Sequence, residues 1–331
     1  MKILFIGGTG LISSSCSKLC VERNYELYLL NRAKSFRAPP SKAKILTADI
    51  GDINSVQNVL AGHQFDSVVN WIAFNESDVK RDCMLFKGKT KQYIFISTAS
   101  AYHKPPIKLP LTEDVPLVNP FWKYSSAKID CENYLMDKFN KENFPVTICR
   151  PSHTYDKTKP ALRTGYLPFH RMKNDKKIII PGDGNTLWTL THAEDFAKGF
   201  IGLIGNPETI GEAYHITSDK TYTWNQIAEI LASKSGYELK SIHIPYDFIA
   251  QHDKDWGAEL YGDKAYDTYF DNSKIKKIVP GFNANIPLES GAEEIAEWYS
   301  RQSNQIVDEY LDNIMDKIIH NYENHIKENK Q

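Results

Sequence analysis

The run KILFIGGTGLIS at residues 2–13 is the strongest constraint on what this chain can fold into. Its apolar stretch reads as a buried strand, and the glycines that follow turn the chain directly into a helix. Gly7 permits the tight turn. Gly10 lets the backbone approach a pyrophosphate at the helix N-terminus, where unpaired amides and the helix dipole favour negative charge. The third small position of this fingerprint is Ser13, a slight loosening of helix–strand contact rather than a loss.

The pattern then repeats. YELYLLNR, AKILTADI, FDSVVNWIAF, KQYIFIST and FPVTICRP are further strands, separated by polar helical stretches. Asp52 or Asn54 is the expected cap of one such helix. Alternation of this kind predicts an α/β fold, a Rossmann-type doubly wound parallel sheet. After Arg150 the segments shorten and Pro151, Pro160, Pro168 and Pro181 punctuate them. AEDFAKGFIGLIGN and TWNQIAEILASKSG read as helices and EAYHIT as a strand. The expected division is a dinucleotide-binding domain over 1–150 and a smaller α/β substrate-binding region over 151–301, with some segments returning to the first domain. A C-terminal helix occupies 302–331. Its face of Val307, Leu311, Ile314, Ile318 and Tyr322 suits either docking on its own domain or a homodimer contact.

Composition narrows the function classes. A formal net charge of −1 over 331 residues gives no bulk drive toward nucleic acid or an anionic membrane. No apolar run approaches the ~20 residues that span a bilayer. MKILFIGGTG is too short and glycine-broken for a signal peptide. Five cysteines do not suggest a disulfide framework. Cys16 and Cys20 are one helical turn apart, but no cysteine or histidine cluster accompanies them, so reduced packed thiols are expected and a metal site is not. Together these features predict a cytoplasmic protein.

The end of the second strand addresses the cofactor. A carboxylate there suits the ribose hydroxyls of NAD. This chain has Asn31, followed by Arg32, Lys34 and Arg37, and a guanidinium pairs with a 2′-phosphate. The reading favours NADP over NAD, with Asp49 placed toward the adenine amino group; otherwise Arg32 faces solvent or stacks and Asp49 caps a helix.

Tyr124 and Lys128 in WKYSSAK lie four residues apart, on one face of a helix. With GGTGLIS, TADI, FISTASAY, LTEDVPLVNPFWKYSSAK, CRPSHTYD and THAEDFA in this order, the chain resembles the extended short-chain dehydrogenase/reductases. Within them it is similar to the NAD-dependent epimerase/dehydratase group that acts on sugar nucleotides. The resemblance implies catalytic roles for three residues. Tyr124 is the acid/base, Lys128 favours its phenolate and holds the nicotinamide ribose, and Thr98 bonds the same substrate oxygen. It also implies cofactor contacts at Leu11, Ile12, Ile50 and Ala73.

The departures are informative. Ala99 and Ser100 stand where sugar-nucleotide 4,6-dehydratases carry Asp-Glu, so elimination by that route is not expected. Ser100 is left as a substrate contact. His153 replaces an asparagine, and Trp188 replaces an arginine, that contact the substrate diphosphate; Trp188 suits stacking on a ring or the core equally. Arg163, Arg171 or Lys264 are the cations that would compensate. His192 and Asp195 are expected to brace the two regions together rather than form a catalytic dyad.

The expected activity is epimerisation of a sugar, taken to be nucleotide-activated, through transient oxidation and hydride return. NADPH-dependent reduction of a keto-sugar is the alternative. DGNTLWTLTHAEDFAKGFIGLIGN is also similar to a divergent branch that includes plant chloroplast proteins binding RNA stem-loops. That likeness leaves a third reading, a catalytically silent RNA-binding or cofactor-sensing protein. The retained Tyr124 and balanced charge rank it behind the enzymes.

Overall fold

In the computed structural model, which describes residues 1–160, 162–163, 165–302 and 308–329, the opening apolar run forms strand β1 (Lys2–Ile6). The other expected runs form β2 (Glu26–Asn31), β3 (Lys44–Thr47), β4 (Ser67–Asn70), β5 (Tyr93–Ile96) and β6 (Val146–Pro151). Later strands are β7 (His153–Tyr155), β8 (Ile178–Pro181), β9 (Leu187–His192), β10 (Ala213–Ile216), β11 (Thr221–Thr223) and β12 (Ser241–Ile244). Four helices lie between the first six strands: α1 (Leu11–Glu22), α2 (Ile53–Val59), α3 (Glu76–Phe86) and α4 (Lys123–Glu142). The second half adds α5 (Leu167–Lys173), α6 (Ala193–Phe200), α7 (Trp224–Ser235) and α8 (Tyr246–His252). It ends with α9 (Lys254–Glu259), α10 (Ser273–Ile278), α11 (Leu288–Ser300) and α12 (Glu309–Glu328).

The main sheet runs β3-β2-β1-β4-β5-β6-β10, with every pairing parallel. Its inner strands are buried on both faces, as parallel strands covered by helices are, whereas the edge strand β3 is mostly exposed. Successive residues of β1 divide between two cores. Ile3 and Phe5 meet Cys16, Phe196 and Phe200 on the α1/α6 side. Leu4 and Ile6 meet Val79, Phe86 and Leu135 on the α3/α4 side. That is the doubly wound arrangement, with the crossover point between β1 and β4. All five cysteines are buried and unpaired, and burial pushes the Cys20 thiol up to about 12.

Beyond β6 the chain builds a small sheet, β11-β9-β7, and a parallel pair, β12-β8, with α7 and α11 packed together beside them. A third core of Tyr155, Trp188, Trp224, Ile227 and Ile295 fills the space between. The helix expected from 302 starts at Glu309. Ile318 is buried and Leu311, Ile314 and Tyr322 are partly buried in a cluster with Ile179, Ile244 and Ile249, so α12 docks on its own chain. Val307 lies outside the described residues. Arg171, 1% exposed, fixes α12 by bonding Asp312 and Asp316. Asp52, not Asn54, caps α2 by accepting from the Ser55 amide at 3.1 Å.

Candidate active site

A groove of about 470 Å³ opens at the carboxyl ends of β1 and β4, and its walls include Gly7, Asn31, Arg32, Asp49, Ile50 and Phe74. Gly7 and Gly8 have φ of +101° and +92°. A Cβ on Gly8 would stand 2.6 Å from Leu29 Cδ2, so any larger residue there would have to displace the buried Leu29 side chain. Ser13 does more than fill the third small position: its hydroxyl accepts from the Gly10 amide at 2.7 Å. The first turn of α1 carries no acidic residue, which leaves its dipole available to an anion. A pyridine dinucleotide fits this cradle.

The rim residues are partly committed already. Asn31 Oδ1 accepts from the Ala33 amide at 2.8 Å, an Asx turn that aims the following loop. Arg32 Nη1 is 3.7 Å from Asp49 Oδ2, and both side chains are exposed. Lys34 lines the groove. Arg37 does not: it bonds Thr158 and lies 3.5 Å from Asp156, tying the loop after β2 to the loop after β7. Gly10, Leu11 and Ile12 sit at the start of α1 outside the groove walls, and Ala73 is fully buried between Ile72 and Phe74, which do line it.

A second cavity, of about 510 Å³, holds Tyr124, Thr98, Ser100, His153 and Lys264 together. Tyr124 is partly exposed on the first turn of α4. The Thr98 and Ser100 hydroxyls are 3.0 Å apart and Ser100 is 2.7 Å from Ser125, a buried hydroxyl chain leading from the end of β5 to α4. Lys128 is 2% exposed and lines neither cavity. Its Nζ donates to the carbonyls of Ala73 at 2.6 Å and Ile96 at 2.7 Å. Burial lowers its pKa to about 8. The expected acidification of the phenol is absent from the chain by itself. Burial raises the Tyr124 pKa, the Thr98 hydroxyl opposes that, and the carboxylate of Asp263 adds to it.

Of the two places open to Trp188, a ring-stacking wall or the core, the structure takes the core. Trp188 is 1% exposed in the third core, where its indole donates to the Lys264 carbonyl at 3.4 Å. It is absent from the cavity wall because β9 faces it toward Trp224, 5.3 Å between ring centroids. Of the compensating cations, Lys264 and Arg163 line the cavity and both contact Glu259, whereas Arg171 is spent on α12. Burial, with Arg163, Lys159 and Lys104 nearby, lowers the Lys264 pKa to about 7. The same effect, with Lys264 and Lys159 adding to it, drives His153 well below its ordinary value. His192 and Asp195 lie off the cavity; Asp195 accepts from the Ile286 amide at 2.8 Å and so ties α6 to the segment before α11. Sequence reasoning missed Glu259, Asp263 and Lys104. For Asp263 the one signal is charge in YGDK, and none of the three has a periodicity to say that it points inward.

Fold and cavities together define an α/β protein of the Rossmann type, with a glycine-turn groove beside a polar cavity. The chain belongs to the NAD dependent epimerase/dehydratase family, whose model matches residues 3–84 and 82–217. It is 28% identical over 261 residues to the chloroplast stem-loop binding protein of 41 kDa b of Arabidopsis thaliana. That match takes in 73% of this chain and spans 65% of the relative's own length. It is 24% identical to a putative UDP-glucose 4-epimerase of Methanocaldococcus jannaschii, over 89% of this chain and 97% of the relative. Among solved structures, the UDP-glucose 4-epimerase from Bifidobacterium longum in complex with NAD+ and UDP superposes with a TM-score of 0.75. It is 19% identical and is covered over 92% of this chain and 100% of that one, a likeness of fold. No described helix is long and apolar enough to cross a membrane.

Proposed function

We propose that this chain is a NAD(P)-dependent epimerase acting on a nucleotide-activated sugar, with Tyr124 as its acid/base. The observation that carries this reading is the position of Tyr124: it lines the cavity beside Thr98, one helical turn from a buried lysine anchored on the loop after β4 and the end of β5. When bound, the dinucleotide supplies hydride exchange with a substrate carbon. Gly7, Gly10 and the α1 amides would hold its pyrophosphate, Asp49 and Ile50 its adenine end, and Lys128 its ribose beside the reacting ring. Tyr124 Oη takes the proton of a substrate hydroxyl and gives it back, and Thr98 Oγ1 holds the same oxygen. Ser100 and His153 line the sugar side, and Lys159, Arg163 and Lys264 surround the part of the cavity where a diphosphate's charge would be met.

Two features support particular alternatives. Arg32 and Lys34 on the groove wall favour the 2′-phosphate form of the dinucleotide, and with it NADPH-dependent reduction of a keto-sugar. The likeness to a stem-loop binding protein supports RNA binding, against which stand the net charge of −1 and the retained Tyr124. The separating experiment is a panel of UDP-, GDP-, CDP- and dTDP-sugars. An epimerase interconverts one of them without consuming cofactor, a reductase consumes NADPH stoichiometrically, and an RNA binder keeps its function in Tyr124→Phe.

A further inference from the structure

The loop after β2 ties two sites together. Lys34 and Ser35 line the groove at the glycine turn. The Ser35 hydroxyl donates to the Thr9 carbonyl in that turn at 3.4 Å and accepts from the Arg37 amide at 3.1 Å. Arg37 is not part of the groove wall. Its guanidinium bonds the Thr158 hydroxyl and lies 3.5 Å from Asp156 Oδ2, with the two charged side chains 18% and 14% exposed. Arg37 Cζ is also 4.7 Å from the centroid of the Phe36 ring, which covers it. An ion pair shielded in this way holds better than one at an open rim.

The far end of this contact is the turn that carries Lys159. Asp156 Oδ1 accepts from the Thr158 amide at 2.7 Å and from the Thr158 hydroxyl at 2.5 Å. The Asp156 carbonyl accepts from the Lys159 amide at 3.1 Å. Arg37 therefore grips both side chains that shape the turn. Lys159, one residue on, lines the reaction cavity with Arg163 and Lys264. Tyr166 bonds the Lys157 carbonyl from the second half of the chain, and Arg37 reaches the same turn from the first. One guanidinium thus joins a loop that walls the groove to a loop that walls the reaction cavity.

We propose that Arg37 is a positioning residue that clasps the two sites together, so that a dinucleotide in the groove orders the turn at residues 156–159 and raises affinity for a diphosphate in the reaction cavity. Fixing a loop costs conformational entropy. A dinucleotide that touches Lys34 and Ser35 restricts their loop and, through Arg37, the turn beyond it. The second ligand then meets a turn that is already ordered. By linkage the diphosphate tightens dinucleotide binding by the same factor. This rests on the reading of the groove as the dinucleotide site and of Lys159 as a cation facing the diphosphate.

The test is hydrogen–deuterium exchange of the full chain, alone and with NADP or NAD, read in peptides covering residues 7–13 and 154–160. In the unaltered chain the dinucleotide should slow exchange in both peptides. In Arg37→Met it should slow exchange in 7–13 alone. Asp156→Asn keeps an acceptor for the turn but loses the charge, and should follow Arg37→Met. Arg37→Lys retains the cation and should keep part of the effect. In calorimetric titrations with UDP, GDP, CDP and dTDP as probes, the one accepted should bind about tenfold tighter to the unaltered chain when dinucleotide is present, with no such gain in Arg37→Met. Exchange in 154–160 that ignores the dinucleotide in the unaltered chain, or slows equally in Arg37→Met, would overturn the clasp and leave the groove reading intact. Loss of NADP affinity with NAD affinity kept in Arg37→Met would also overturn it, by making Arg37 a direct 2′-phosphate contact. No slowing in 7–13 with either dinucleotide would refute the groove reading, and the clasp with it.

Discussion

Lys128 Nζ lies 5.9 Å from the centre of the Tyr124 ring, yet its protons go to the main-chain oxygens of Ala73 and Ile96. The lysine thus links α4 to the loop after β4 and to the end of β5, and the phenol stands on the element that it holds. This arrangement has a pH signature. Burial lowers the Lys128 pKa from 10.5 to about 8. Below that value the folded chain carries a buried ammonium at full cost. From about pH 8 to 10.5 the folded chain releases a proton that the unfolded chain retains, so this group's contribution to stability improves as pH rises. Relative to Lys128→Met, the unaltered chain should gain up to about 1.4 kcal/mol per pH unit across that window, measured by urea unfolding. A difference that stays flat would show that Lys128 titrates normally.

Gly8 tests the cradle. Its φ of +92° and the 2.6 Å approach to Leu29 leave no room for a methyl group. Gly8→Ala should cost about 2 kcal/mol of stability and weaken binding of either dinucleotide. Unchanged melting and unchanged affinity would mean the turn can relax.

Arg32 tests cofactor choice. It pairs with Asp49 only at the exposed rim, where such contacts contribute less than about 1 kcal/mol. Arg32→Ala should leave stability unchanged and reduce NADP affinity by roughly tenfold or more, with NAD little affected. Parallel loss of both affinities, read by calorimetric titration, would remove the 2′-phosphate role.

Arg171 tests the cavity wall. It holds Asp312 and Asp316 on α12, whose first turn sends Leu311 to the cavity. Arg171→Met takes the buried guanidinium from Asp312 and Asp316, which keep Lys176 at 2.7 and 2.8 Å, and should cost about 2 kcal/mol. KM for the sugar should rise while dinucleotide affinity holds; a fall in dinucleotide affinity instead would place the damage in the main sheet.

The main sheet was legible because its signals are local. An apolar run closed by glycines, as at Ile3–Gly8, cannot be buried on two faces in many other ways, and EAYHIT reads as a strand on the same grounds. The groove residues Asn31, Arg32 and Asp49 were legible for the same reason, each lying at or just past a strand end. The far side of the reaction cavity was not. Asp263, Glu259 and Lys104 are charged residues that tertiary packing turns inward, and a polar residue on an irregular segment reads as solvent-facing. Trp188 shows the converse: alternation along β9 leaves either face open to it, and the packing of Trp224 decides. The fingerprint of α6 also overran, since a pattern continuing to Asn206 stops at Phe200. Gly199 and Gly202 there press on Ile216 and Val279, with room for no Cβ.

The most direct test of the whole account is comparison of Tyr124→Phe with the unaltered chain, given NAD or NADP and the four families of nucleotide sugars. Removing one hydroxyl from the cavity should lower turnover of the accepted sugar by about a thousandfold or more while dinucleotide affinity stays within about twofold. Turnover that survives the change, or falls only in step with dinucleotide affinity, would contradict the claim that this phenol moves the proton.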